Sequence, residues 1–137
     1  MTEQDAVALT LYGEARGEPV DGRIAVACVL INRRHDGRWG TSFVAVCLAR
    51  RQFSCWNDTD PNVDGLHDLL TCSPARRTLA VRECYWIADG VLADALRPRV
   101  GAATHYYATS MPTPPRWAAA GQFVAEIGHH RFYAGVA

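Results

Sequence analysis

The spacing of apolar residues near the N-terminus predicts a first helix. Thr2, followed three residues later by Asp5, is the capping signature that opens a helix, which we expect to run to about Tyr12. The apolar residues of this segment fall on one side of a helical wheel, and Glu14 lies within the same arc, one turn beyond Leu11. The pattern therefore places a carboxyl group on the apolar face of a helix.

A second predicted helix is apolar on every side. Gly17 and Pro19 interrupt the first helix, and Asp21 can cap the next one. Every residue from 24 to 31 is apolar, which is typical of a buried helix or a buried strand. The acid at the start of this run and the arginines 33–34 at its end match a helix dipole, so we predict a helix.

The middle of the chain predicts short elements and one long helix. Residues 42–48 are expected to form a short helix, residues 51–56 an extended segment, and residues 58–64 a polar loop. Ser73-Pro74 combines a cap with a proline at the first helical position, and this predicts a helix as far as about Leu96.

The C-terminal third favours strands. Residues 103–107 are predicted to form a strand, and a proline-rich loop precedes Trp117. Residues 123–127 and 130–133, joined by Gly128-His129, are typical of a hairpin. Helices followed by short strands predict an α+β fold with a small antiparallel sheet, formed by one domain over residues 1–137.

Composition and charge exclude several classes of protein. The chain has 49% hydrophobic residues, 20% charged residues and a net charge of zero, so neither a disordered chain nor a nucleic-acid binder is expected. Residues 1–5 carry no basic region or apolar run, so we expect no signal peptide and synthesis in the cytoplasm. No run approaches the ~18 apolar residues of a membrane span, so no membrane insertion is expected.

Cysteine and histidine residues give no metal signature. None of the five cysteines is spaced as Cys-x-x-Cys, and a bridge between Cys47 and Cys55 remains open at this point. The chain has no His-Glu-x-x-His, and His129 and His130 would point to opposite faces of a strand. We predict no metal site and expect His105 to orient a neighbour through a hydrogen bond.

Glu14 is the principal candidate for chemistry. A carboxyl group on an apolar face loses hydration, which raises its pKa and lets it hold a proton near neutral pH, as a glycosidase acid must. The structural alternative is an exposed glutamate at a frayed helix end, paired with Arg16 or Arg23. Glu18, four residues on, is predicted as a loop residue, as an N-terminal charge for the next helix, or as a substrate hydrogen-bond acceptor.

Several segments, in order along the chain, resemble the SleB/CwlJ cell wall hydrolase family. The segments are Tyr12-Gly13-Glu14-Ala15-Arg16-Gly17-Glu18 with Ala25-Val26-Ala27 and Ile31-Asn32-Arg33, Gln52-Phe53-Ser54-Cys55-Trp56-Asn57, Gly101-Ala102-Ala103-Thr104-His105-Tyr106-Tyr107, and Trp117 with Ile127-Gly128-His129-His130-Arg131-Phe132-Tyr133. The resemblance covers residues 12–133, nearly the whole chain.

The resemblance implies a fold, an activity and a partner. The fold would be lysozyme-like or similar to resuscitation factors, with helices around a groove. The substrate would be the peptidoglycan glycan strand, cut between N-acetylmuramic acid and N-acetylglucosamine without a cofactor. Glu14 would be the catalytic acid. A bare catalytic domain resembles a phage endolysin, so we expect a monomer that reaches the wall or periplasm by holin release or on a virion.

The matching segments contain the expected groove residues. No Asp or Glu lies in the later segments to act as a nucleophile, which favours lytic transglycosylation with Glu14 as both acid and base over muramidase hydrolysis. Aromatic residues are predicted to stack on sugars, or else to fill the core. They are Phe53, Trp56, Tyr106, Tyr107 and Trp117, and the predicted polar partners of N-acetyl groups are Gln52, Ser54, Asn57 and Thr104.

Two functions of other classes remain as alternatives. Cys55 and His105 would be the catalytic pair of a peptidase that cuts peptide stems. A non-catalytic glycan-binding module would use the same aromatic residues without the acid. A spore-germination enzyme would keep the glycan chemistry and change only the biological setting.

Overall fold

The structure has six helices, the first of which lies at the centre of the helical part, and a small sheet. The computed structural model describes residues 1–137. The helices are α1 (Glu3–Ala15), α2 (Val20–Asp36), α3 (Phe43–Leu48), α4 (Val63–Thr71), α5 (Leu79–Leu92) and α6 (Arg116–Ala120), and two 3₁₀ turns span Ser54–Trp56 and Pro74–Arg76. No helix combines the length and apolar character needed to span a bilayer.

The three strands form an antiparallel sheet in the order β1-β3-β2. Their bounds are β1 (His105–Ala108), β2 (Gln122–Ile127) and β3 (His130–Ala134). Tyr106 pairs with Phe132 across β1 and β3, and Phe123 pairs with Tyr133 across β2 and β3. The predicted hairpin is confirmed, and the predicted α+β class with it.

Helix α1 lies at the centre of the core. It packs against α2, α3 and α5, which is why residues 6–11 are buried on all sides and not on one face alone. The predicted capping box is confirmed, since the Thr2 hydroxyl accepts from the Asp5 amide at 3.0 Å while the Asp5 carboxylate accepts from the Thr2 amide at 3.1 Å. The buried apolar helix predicted over residues 24–31 is confirmed within α2.

Side chains at the end of α2 attach the sheet to the helices. The Asn32 amide group donates to the carbonyls of Gly101 at 2.9 Å and Ala103 at 2.8 Å. The Arg33 Nε donates to the carbonyl of Thr104 at 2.7 Å. These bonds hold the segment that leads into β1 against the helical part of the molecule.

Several predicted boundaries are wrong. Helix α1 continues past Tyr12 to Ala15, so Glu14 lies inside the helix and not at a frayed end. Residues 51–56 are not extended, because Cys55 packs against Gly13 of α1 and the chain turns in a 3₁₀ helix there. The polar loop ends at Asn62, where the unpredicted α4 begins.

The helix predicted from Ser73 is shorter than expected at both ends. Ser73-Pro74 opens only a 3₁₀ turn, and α5 begins after Thr78, whose side chain caps the amide of Val81. The helix ends at Leu92 because Asp94 adopts a left-handed conformation with φ of 53°. Thr78 therefore supplies the cap that the sequence had assigned to Ser73.

Candidate active site

A cavity of about 570 Å³ lies between the helical part of the molecule and the sheet. It is lined by the end of α1, the end of α2, the segment around the first 3₁₀ turn, β1, the loop before α6, and β3. Glu14 is the one carboxyl group among the lining residues. The predicted site residues that line the cavity are Glu14, Gln52, Phe53, Ser54, Asn57, Tyr106, Tyr107 and Trp117.

Glu14 is half-buried beside the first 3₁₀ turn. Its Oε1 lies 3.4 Å from the backbone nitrogen of Cys55, a long hydrogen bond. Burial raises the pKa of the carboxyl above the ordinary 4.5, against the opposing effect of the hydrogen bonds from Cys55 and Ser54, and the charge of Asp60 raises it further. The site therefore makes Glu14 easier to protonate than an exposed glutamate, in the direction that the apolar-face argument predicted.

Gly13 allows the 3₁₀ turn to approach Glu14. A β-carbon at position 13 would lie 2.7 Å from the Cys55 β-carbon and 2.8 Å from its sulfur. Contacts of that length do not occur between real carbon atoms, so any side chain at position 13 would displace the turn. The glycine beside the candidate acid therefore has a packing role.

Replacing Gly13 by alanine is expected to destabilise the protein and to lower its activity. The clash with Cys55 should cost about 1–3 kcal/mol, which exceeds the ~1 kcal/mol that alanine gains over glycine in a helix. Displacement of the turn should move Glu14 and lower activity roughly tenfold or more.

Urea unfolding and a peptidoglycan clearing assay would measure both effects of Gly13→Ala. Gly17→Ala is the matched control, because a β-carbon at position 17 would meet nothing within 4 Å. Equal stability and activity for the two variants would contradict the packing role of Gly13.

The cysteine residues are free thiols. All five are unpaired, so the bridge between Cys47 and Cys55 that the sequence left open is absent. Burial raises the pKa of the Cys55 thiol, and the neighbouring Glu14 raises it further. Burial also raises the pKa of Cys47 to about 12. This environment disfavours the thiolate that the peptidase alternative requires.

His105 packs among aromatic rings. Its ring centroid lies 5.6 Å from that of Trp39 and 5.0 Å from that of Trp117. Its Nδ1 lies 2.9 Å from the Thr104 hydroxyl, and no hydrogen bond joins it to Cys55. Burial, together with the charge of Arg33, lowers the pKa of His105 to about 4, so the ring is neutral. The predicted hydrogen bond to a neighbour is confirmed.

Arg33 lines the cavity, and the sequence analysis did not propose it as a site residue. Its Nε donates to the Thr104 carbonyl at 2.7 Å, and one terminal nitrogen donates to the Gln52 side-chain oxygen at 2.9 Å. The guanidinium lies over the rings of Trp39 at 4.4 Å and Phe53 at 5.1 Å. Burial lowers the pKa of Arg33 to about 10.

The sequence feature that could have identified Arg33 as a site residue was its position at the end of the apolar helix. An arginine at the end of a wholly apolar helix was interpreted as a charge matching the helix dipole, but the side chain turns inward. It fixes Gln52 and supports Phe53, which is buried and not free to stack on a sugar. Gln52 and Phe53 are thus held to the cavity by a buried cation.

The aromatic residues of the cavity differ in whether their rings pack over the core or remain partly open to the cavity. Tyr106 packs against His130 at 4.8 Å and Phe132 at 5.7 Å, on the face of the sheet that covers the core. Burial raises the pKa of Tyr106, and the charge of Glu14 acts in the same direction. Trp117 is half-buried and packs against Tyr107 at 5.9 Å, so part of its ring surface remains open.

Four predicted site residues lie outside the cavity lining. The Trp56 indole nitrogen donates to the Thr10 hydroxyl at 2.8 Å, which ties the 3₁₀ turn to α1. Thr104 is buried, and its hydroxyl forms a hydrogen bond with the Nδ1 of His105. Glu18 is buried, and its carboxylate accepts hydrogen bonds from His129. For Trp56, Thr104, His105 and Glu18 the observed contacts are with the protein.

Comparisons of sequence agree with the family resemblance. A family model described as cell wall hydrolase matches residues 17–133, beginning three residues after Glu14. A spore cortex-lytic enzyme of Oceanobacillus iheyensis is 38% identical over 52 residues, which are 38% of this chain and 19% of that enzyme. One from Bacillus subtilis is 36% identical over 52 residues, 38% of this chain and 17% of that enzyme. The matched segment thus spans under a fifth of either relative.

Comparisons of structure extend over nearly the whole chain. The catalytic domain of the germination-specific lytic transglycosylase SleB from Bacillus anthracis superposes with a TM-score of 0.71 at 23% identity, covering 96% of this chain and 93% of that one. The catalytic domain of the Bacillus cereus SleB protein gives a TM-score of 0.69 at 24% identity, covering 96% and 89%. This chain therefore has the fold of those domains.

Proposed function

The chain belongs to the cell wall hydrolase family, and from that premise we propose that it cuts the peptidoglycan glycan strand with Glu14 as the proton donor. The observation that carries the proposal is the position of Glu14. It is the one carboxyl group lining the cavity of about 570 Å³, and burial keeps its pKa above the ordinary value. A catalytic acid needs both properties.

The proposed reaction begins with protonation of the glycosidic oxygen. Glu14 gives its proton to the oxygen that links N-acetylmuramic acid to N-acetylglucosamine, and the bond breaks toward an oxocarbenium-like state. A retaining hydrolase would need a second carboxylate about 5 Å away, and an inverting one would need it at roughly 6.5–9.5 Å. Glu14 has no carboxyl partner in the cavity lining, which supports a route without a second acid.

Lytic transglycosylation completes the reaction with the same side chain. The Glu14 carboxylate takes the proton of the muramic acid C6 hydroxyl, whose oxygen attacks the anomeric carbon. The products are a 1,6-anhydro end and a free end on the leaving sugar, and Glu14 regains its proton. No water enters the products, and no second carboxylate is needed.

The cavity walls offer suitable groups for N-acetylated sugars. Tyr107 and Trp117 expose parts of their rings at one side, where a sugar face can stack. Ser54 and Asn57 line the opposite part with hydroxyl and amide groups. Gln52 is held by Arg33 at its side-chain oxygen, and its amide nitrogen makes one long bond of 3.5 Å to the Arg50 carbonyl, so its second N–H can donate to a substrate oxygen.

Mass analysis of the digestion products tests the proposed reaction. Purified peptidoglycan treated with the protein is expected to yield fragments with anhydro ends, each one water lighter than a hydrolytic fragment. Fragments with water added at the sugar end would assign the protein to the muramidases. Fragments cut in the peptide stems with intact glycan would contradict glycan cleavage altogether.

The pH dependence of activity is expected to follow the protonation of Glu14. A catalytic acid works only while protonated, so activity should fall as pH rises through the pKa of Glu14, which burial raises from 4.5. The charge of Asp60 contributes to that increase. Asp60→Asn should therefore move the alkaline limb of kcat/KM to lower pH.

Asp58→Asn is the matched control for this shift. Asp58 is exposed in the same loop, and its charge is not among the main causes that shift the pKa of Glu14. Profiles measured for the wild-type protein and both variants would give the comparison. An alkaline limb that stays in place in Asp60→Asn, or moves equally in both variants, would contradict the assignment of that limb to Glu14.

A further inference from the structure

A buried acid outside the cavity lies against His129 of the β2–β3 turn and His130 at the start of β3. Glu18 lies in the connection between α1 and α2 and is 8% exposed. One carboxylate oxygen accepts from the His129 backbone nitrogen at 2.6 Å, and the other lies 2.6 Å from the His129 Nδ1. The His130 Nδ1 lies 3.1 Å from the first of these oxygens.

The backbone at two glycines packs closely against the Glu18 side chain. Gly128 adopts φ of 59°, and a β-carbon there would lie 2.8 Å from the Glu18 Oε1. A β-carbon at Gly22 would lie 3.0 Å from the Glu18 β-carbon. Two positions around Glu18 thus have little or no room for a side chain, and the carboxylate has a fixed place.

The position of Glu18 favours a hydrogen on the Nδ1 of His130. A carboxylate oxygen can only accept, so an unprotonated Nδ1 at 3.1 Å would place two lone pairs against each other. The Nδ1 is buried and forms no hydrogen bond, so its 3.1 Å contact with Glu18 acts through charge. Burial lowers the pKa of His130, which favours the neutral ring. In that ring Nδ1 holds the hydrogen and Nε2 holds a free lone pair.

The same imidazole ring lines the cavity that contains Glu14. Its Nδ1 is turned toward Glu18, which lies outside the cavity, so the cavity side of the ring carries Nε2. The ring is fixed edge-to-face against Tyr106 at 4.8 Å and Phe132 at 6.2 Å. A rigid acceptor is therefore available at a wall where Arg33 is a donor and where Glu14 is a donor whenever it is protonated.

We propose that His130 binds the glycan by accepting a hydrogen bond at Nε2 from a hydroxyl or amide N–H of an N-acetylated sugar. Glu18 is the positioning residue that fixes the tautomer and the ring. The inference rests on the proposed function, because it takes the glycan as the ligand of the cavity. It replaces the direct substrate contact predicted for Glu18 with an indirect role through His130.

Imidazole ¹⁵N spectra of the wild-type protein test the tautomer and the contact. We expect His130 to carry its hydrogen on Nδ1, and a tetramer of N-acetylglucosamine to shift the Nε2 resonance. Glu18→Gln removes the charge that favours Nδ1–H and should increase the share of the Nε2–H form. An Nε2–H tautomer in the wild-type protein, an Nε2 signal unmoved by the tetramer, or an unchanged tautomer in Glu18→Gln would each overturn the proposal.

Two substitutions of His130 test the contact by rescue. The amide oxygen of glutamine can reach the place of Nε2, whereas that of asparagine cannot. His130→Asn should lower kcat/KM on peptidoglycan roughly 10–100-fold, as loss of one buried hydrogen bond does, and His130→Gln should recover most of that loss. His35→Asn, which changes an exposed histidine of α2, is the matched control.

The outcomes separate this inference from the proposed function. Wild-type activity in His130→Asn, or equal losses in the asparagine and glutamine variants, would overturn the role of His130 while glycan cleavage stands. A wild-type protein that leaves peptidoglycan intact, yet shows the Nδ1–H tautomer and the shift with the tetramer, would overturn the proposed function while the binding contact stands.

Discussion

Glu14→Gln is expected to lower kcat on purified peptidoglycan by roughly 10²–10⁴-fold, the usual contribution of a general acid. Glutamine keeps the shape of the side chain and can still accept from the Cys55 amide, but it has no proton to give to the glycosidic oxygen. Release of soluble glycan fragments measures the rate. Thermal unfolding of the same sample should show a stability close to that of the wild-type protein.

Cys55→Ala is the control that separates the glycan and peptide chemistries. The thiol is buried against α1 and its pKa is raised, so its removal should cost some stability and leave most of the activity. An active Glu14→Gln with an inactive Cys55→Ala would establish the Cys55–His105 alternative instead. Binding of glycan without any turnover in the wild-type protein would favour the non-catalytic module.

Arg33→Ala is expected to lower the free energy of unfolding by roughly 2–5 kcal/mol. The substitution leaves the buried Thr104 carbonyl without its donor, which costs about 1–3 kcal/mol, and it releases the exposed Gln52 side chain. It also removes the packing on Trp39 and Phe53. Relief from holding a buried charge offsets only part of this loss.

The neighbouring arginine gives a matched control for this effect. Arg34 is exposed, with one long hydrogen bond of 3.4 Å to the Thr41 carbonyl, so Arg34→Ala should cost under about 1 kcal/mol. Urea unfolding of both variants provides the comparison. Equal stability losses would show that Arg33 does not hold the cavity wall. Activity of Arg33→Ala should fall as well, because Gln52 loses its anchor.

The sequence predicted those features that depend on local pattern. The capping box at Thr2, the hairpin turn at Gly128 and the placement of Glu14 on an apolar arc all follow from residues a few positions apart. Cavity-lining positions such as Gln52 and Asn57 came from the family resemblance, which also supplied the fold. These predictions needed no knowledge of contacts between distant parts of the chain.

The features that the sequence could not predict depend on contacts between distant residues. Residues 51–56 form a turn because Cys55 meets Gly13, which lies more than 40 positions earlier in the chain. The role of Glu18 depends on His129, 111 residues away. Arg33 was interpreted as a charge that matches the helix dipole because its partner, the Thr104 carbonyl, lies 71 positions further along the chain.

The sequence pattern of the first strand also did not show that Tyr106 and Tyr107 have different roles in the sheet. Tyr106 and Tyr107 were predicted together as residues that stack on sugars. In the sheet they lie on opposite faces, so that Tyr106 packs over Phe132 and Tyr107 packs beside Trp117. Which face covers the core depends on the register with β3, and this register was not available from the sequence.

The most direct test of the account is a titration of the Glu14 carboxyl group by ¹³C NMR, with Glu14→Gln used to assign the signal. The account predicts a pKa above 4.5 that coincides with the alkaline limb of kcat/KM on peptidoglycan. A carboxylate that stays charged throughout the pH range of activity would contradict it, because such a group has no proton to give to the glycosidic oxygen.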